Sequence, residues 1–90
     1  MINASILIAR RVAPWFDRAK VLEGVKTGAE LGAIMGLSAP QVSRASRGKG
    51  PDEHVLALCD RGGINPAERA EVVYLLTGVW PTVTTIGGAS

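Results

Sequence analysis

The chain has 90 residues, enough for one small domain with a single compact core. It is 47% apolar, only 4% aromatic, and carries a formal net charge of +2. The single cysteine, Cys59, excludes an internal disulfide. No apolar run approaches the roughly 20 residues that a membrane-crossing helix needs, and no charged leader precedes the short Ile6-Leu7-Ile8 run.

The modest net charge hides an uneven layout. Residues 1–20 carry Arg10, Arg11, Arg18 and Lys20 against Asp17. Residues 31–51 carry Arg44, Arg47 and Lys49 with no acid, whereas residues 52–71 hold Asp52, Glu53, Asp60, Glu68 and Glu71 against Arg61 and Arg69. A basic middle beside an acidic end is compatible with one face that meets a polyanion.

In chain order, residues 1–13 read as an N-terminal lead-in or arm, closed by Pro14. Proline suits the first turn of a helix, where its missing N–H has no partner to lose. Phe16, Ala19 and Leu22, with Val25 just beyond, then give a helical stripe that ends near Gly24.

"TGAELGAIMG" opens with a capping box, Thr27 capping the backbone and Glu30 reaching back. Leu31, Ile34 and Met35 form its expected inner face, and Gly36 permits the left-handed exit that a sharp turn requires. "LSAPQVSRASRG" restarts the helix with Ser38 as N-cap and Pro40 in the first turn. Val42 and Ala45 face inward, and Gly48 stops the segment.

Residues 52–61 predict a further helix, with Asp52 and Glu53 at its positive end. Cys59 falls in its apolar run and reads as a small core residue in a reducing compartment. "INPAERAEVVYLLTG" has Asn65 as cap, Pro66 in the first turn and Glu68 completing a second capping box, and it runs to about Thr77. Residues 79–90 form a β-branched tail, read as extended, disordered or dimerising. The expected organisation is thus a lead-in at 1–13, a helical domain at 14–78 and a tail at 79–90.

Two short helices joined at Gly36 fit a helix-turn-helix, in which the second helix presents its outer face to the DNA major groove. Leu31, Leu37 and Val42 stand where that unit needs apolar contacts, and Gly32 stands where the helices cross closely. Arg44 is the first candidate for reading guanine, since a guanidinium donates two hydrogen bonds to its major-groove edge. Gln41, one turn earlier, suits adenine; Ser43 can reach a base or a phosphate; the Ala39 methyl can touch thymine. Arg47 and Lys49 are placed to grip phosphates, as are the Thr27 and Gly28 amides at a helix start.

The segment "TGAELGAIMGLSAPQVSRASRGKGPDEHVLALC", with "FDRAK" before it and "INPAERAEVVYLL" after it, resembles the Cro/repressor (XRE-like) helix-turn-helix family of phage and bacterial regulators. The resemblance implies an all-α, compact five-helix lambda-repressor-like DNA-binding domain, usually a homodimer. It implies a transcriptional regulator, such as a phage or prophage repressor, acting on double-stranded operator DNA in the cytoplasm of a bacterial host. The chain departs from that pattern at Ala39 and Pro40, where polar base readers are common, and at Gly32, where alanine is usual.

The surplus apolar residues Val72, Leu75, Leu76, Val79 and Trp80 are a candidate dimer interface. Ile6 to Val12 form the rival surface, and Arg10 with Arg11 could instead lie along DNA as a basic arm. The apolar tail, with the missing readers at 39 and 40, also motivates a different reading: a protein-interaction module that binds a host or phage protein. His54 and Cys59, five residues apart, point to different sides of a helix, so no metal site is expected. Asp52 and Glu53 are adjacent and do not face each other. No nucleophile–base pair or phosphate-cradling loop is found, so neither an enzyme nor a cofactor is expected.

Overall fold

The computed structural model describes residues 4–81. Five helices follow one another: α1 (Ala4–Glu23), α2 (Gly28–Met35), α3 (Ala39–Ser46), α4 (Asp52–Arg61) and α5 (Pro66–Thr77). There is no strand among the described residues. The five helices form one compact all-helical body in which α1 packs most extensively on α4 and also touches α2, α3 and α5.

The main departure from the sequence reading is α1. It does not begin at Pro14 but passes through it, and residues from Ala4 to Ala13 belong to the helix. Ile8, Val12 and Ala19 are buried, and Trp15 and Phe16 pack against the same core. These positions recur at the helical interval on both sides of the proline. An interior proline costs about 3 kcal/mol through its lost hydrogen bond and its ring clash. Burial of apolar side chains before and after it offsets that, at about 1.5–3 kcal/mol for each large one.

The shorter helices follow their caps. Thr27 Oγ1 accepts from the Glu30 amide at 3.2 Å, and the Glu30 carboxylate accepts from the Thr27 amide at 3.1 Å. Gly36 then takes φ 76°, and Leu37 N–H donates back to the Gly32 carbonyl at 2.8 Å. In this exit a Cβ on Gly32 would lie 2.7 Å from both the Leu37 carbonyl oxygen and Val42 Cγ2. Only glycine therefore lets α2 and α3 approach as they do. In α5, Asn65 Oδ1 accepts from the Glu68 amide at 2.8 Å, but Glu68 returns to the Asn65 side-chain amide at 3.1 Å, not to its backbone as a full box would.

The core comprises Ile8, Val12, Ala19, Leu31, Val42, Ala45, Val55, Leu58, Cys59 and Val72, with no buried polar side chain among the described residues. Two expected core residues lie outside it. Leu22 is 58% exposed at the last turn of α1, beside Gly63, and Ile34 is 42% exposed on the open side of α2. Conversely, Val72 is only 1% exposed and cannot belong to a dimer surface; it is the one fully buried residue of α5. Leu75 and Leu76 are half-buried against the same core.

Candidate functional site

The α3 helix is short, about 12 Å at 1.5 Å per residue. Val42 and Ala45 turn into the core, so Ala39, Gln41, Ser43 and Arg44 are left exposed, and Arg47 and Lys49 continue that exposed surface past the helix end. The end itself is tightly tied. The amides of Arg47 and Lys49 both donate to the Arg44 carbonyl, at 3.0 and 2.9 Å, and that of Gly48 donates to Ala45 at 2.9 Å. The chain after α3 thus folds back beneath Arg44 and holds Lys49 beside it.

Four of the ten Lys and Arg side chains are paired with carboxylates. Arg11 pairs with Glu71 at 3.3 Å, Lys20 with Asp17 at 3.6 Å, Arg61 with Glu23 at 3.0 Å and Arg69 with Asp60 at 2.9 Å. Arg44, Arg47 and Lys49 have no carboxylate partner among the described residues, nor do Arg10, Arg18 and Lys26. What sets Arg44, Arg47 and Lys49 apart is that all three fall within a stretch, 31–51, that holds no acid. Arg47 Nη1 instead donates to Ser43 Oγ at 3.0 Å, which lays its guanidinium along the helix.

Gln41 has a local duty that the sequence reading omits, and Thr27 keeps the capping duty expected of it. The Gln41 Oε1 atom accepts from the Ser38 amide at 2.8 Å, while Ser38 Oγ accepts from the Gln41 amide at 3.3 Å. This is a complete capping box, so only the carboxamide NH2 of Gln41 faces outward unengaged. The Thr27 amide is spent on Glu30, so it does not offer itself to a phosphate as expected. The Glu30 carboxyl is held below its ordinary range, first by the Lys26 amide and next by the Thr27 amide. An anion at the start of α2 would therefore meet a carboxylate already seated there. Gly28 is half-buried, and its Cβ direction faces Phe16 and Val42, so that corner is turned toward the core.

Sequence reasoning placed Arg10 and Arg11 together, and the structure separates them. Arg11 is neutralised by Glu71, whereas Arg10 lines a shallow groove of about 390 Å³ with Ile6, Ala9, Ala13, Arg47 and Lys49. Across α1, a second groove of about 210 Å³ is lined by Leu7, Arg11, Glu71, Tyr74, Leu75 and Trp80. Trp80 folds back on α5 and stacks on Tyr74, ring centroids 4.8 Å apart, yet remains 54% exposed.

Cys59 is buried, and desolvation, reinforced by the neighbouring Asp60 charge, pushes its thiol up to about 11. No cluster of metal-ligating side chains occurs among the described residues, and no described helix is long and apolar enough to cross a membrane. No family model, curated protein or solved structure matches this chain.

Proposed function

We propose that this protein is a sequence-specific DNA-binding regulator in which α2, the turn at Gly36 and α3 act as a helix-turn-helix. One observation carries the reading: Arg44, Arg47 and Lys49 cluster on the exposed side of α3 and its exit, in a stretch (31–51) with no acidic residue, and have no carboxylate partner among the described residues. Unpaired cations on a rigid, short helix suit a polyanion, because no internal ion pair has to be broken on binding. In this reading α3 enters the major groove, Arg44 reads guanine, and the free Gln41 amide group donates to a base acceptor. Arg47, Lys49 and Ser43 hold the backbone, and the Ala39 methyl lies against thymine. Two copies on a two-fold operator supply the second half-site, with Trp80, Val79, Leu75 and Leu76 at the contact.

Selection of bound duplexes from a random pool tests this reading. The expected result is an enriched sequence with two-fold symmetry, whose preference over a scrambled duplex is lost in Arg44→Ala. One good bidentate contact accounts for about 1–3 kcal/mol of that discrimination. No enrichment, or an unchanged preference in the variant at fixed salt, overturns it.

A second reading, a protein-interaction module, draws on the exposed Tyr74–Trp80 stack and the apolar groove beside it. Capture of a phage or bacterial protein that survives loss of Arg44 and Arg47 but not loss of Trp80 would favour it over DNA binding.

A further inference from the structure

The groove between α1 and the end of α3 has an unusual make-up. Its floor is Ile6, Ala9 and Ala13, and its cations are Arg10 from one element and Arg47 and Lys49 from another. None of the three has a carboxylate partner among the described residues. The two elements are locked together at this point. A Cβ on Gly48 would overlap Ile8 Cγ2, and Ile8 is itself a core residue. Arg10 lies two residues past Ile8 and Lys49 one residue past Gly48, so this contact joins the two segments that carry them. Like charges are therefore held near one another by packing, with nothing in the described chain to neutralise them.

We infer that Arg10, Arg47 and Lys49 form a clamp for the sugar–phosphate backbone of duplex DNA, so that α1 takes part in binding alongside α3. The inference rests on the DNA-binding reading and adds to it a contact outside the helix-turn-helix. The chemistry of the groove matches that ligand on two counts. A backbone strand presents phosphates, which cations hold, and deoxyribose rings, whose carbon faces suit an apolar floor. The groove is also continuous with the α3 surface, because the Lys49 amide is bonded to the Arg44 carbonyl. A phosphate clamp carries no base information, so it fixes register and adds affinity to every sequence alike.

The test compares wild type, Arg10→Gln and Arg11→Gln on the selected duplex and on a scrambled one, across about 50–200 mM salt. Each neutralised phosphate contributes about one to the slope of log affinity against log salt. Arg10→Gln is expected to flatten the slope by about one on both duplexes and to leave their ranking unchanged. Arg11→Gln, whose charge is already paired with Glu71, is expected to keep the wild-type slope. Melting temperatures verify that both variants stay folded. A wild-type slope in Arg10→Gln overturns the clamp, as does equal flattening in both variants, which would report net charge alone. Either result leaves the α3 reading standing if Arg44→Ala still loses preference. Failure of the wild type to bind any duplex, with Arg10-dependent binding of polyglutamate instead, overturns both.

Discussion

The Gln41 carboxamide oxygen accepts the Ser38 amide at 2.8 Å, so the residue proposed to read a base beside Arg44 also caps its own helix. The two roles separate by substitution. Gln41→Glu keeps the acceptor and adds a negative charge at the helix N-terminus, where it is favourable by about 0.3–1 kcal/mol. The same charge opposes a polyanion. Thermal unfolding is expected to show an equal or slightly higher Tm, while gel shift at low salt shows clearly weaker DNA binding. Weaker folding together with unchanged DNA affinity would mean that α3 does not face the duplex.

Gly32 is set against the Leu37 carbonyl and Val42, and alanine there should test how tightly α2 and α3 are joined. Overpacking costs about 1–3 kcal/mol, and the better helix propensity of alanine returns about 1 kcal/mol at most. Gly32→Ala is therefore expected to lower stability by about 1 kcal/mol in urea denaturation. Val42→Ala in the same background removes one of the two clashing atoms, so the double variant should lose less than the sum of the singles. Strict additivity would place the strain elsewhere.

Much of this architecture is written locally. Thr27, Ser38 and Asn65 cap the helices that they are read to cap, and Gly36 and Gly78 take positive φ at the ends of α2 and α5. Such signals are legible because each involves a few neighbouring residues. The pair Ser38 and Gln41 also spells a capping box, but the same glutamine suits base reading, and only the coordinates reveal which atom is engaged. Arg10 is illegible for another reason. Its groove depends on how α1 lies against the α3–α4 connection, and a long-range crossing leaves no mark in local spacing. In α1 the apolar interval of Ile8, Val12, Trp15, Phe16 and Ala19 is present in the sequence, but Pro14 interrupts it with a strong local signal that tertiary packing overrides.

That override gives a test at Pro14 itself. The residue is exposed and lies inside a continuous helix, so its ring contributes no core packing and denies the Arg10 carbonyl its usual donor. Alanine restores that donor, and its gain is reduced by about 0.4–1 kcal/mol because the unfolded chain becomes freer. Pro14→Ala is expected to stabilise the protein by about 1–2 kcal/mol, a fraction of the full interior-proline penalty. Helicity by circular dichroism should not fall. Had a helix instead begun at Pro14, the same change would bring no gain, and a lower Tm in the variant would restore that reading.

Cys59 supplies the pH dependence. Its thiol is raised from its ordinary value of 9.0 to about 11, chiefly because burial disfavours the thiolate. Between those values the unfolded chain has released the proton and the folded chain still holds it. The unfolded state then binds fewer protons, so stability falls as pH rises. The contribution is intact below about pH 9 and is lost progressively toward pH 11. Urea midpoints measured across that window should decline more steeply in wild type than in Cys59→Ala, which lacks the group while other alkaline titrations remain. At neutral pH the buried thiol should react with iodoacetamide only through the unfolded fraction, so mild urea should accelerate labelling in step with that fraction. Rapid labelling of the native protein, or parallel pH profiles for the two chains, would place Cys59 at the surface and remove it from the core that seats α4 against α1.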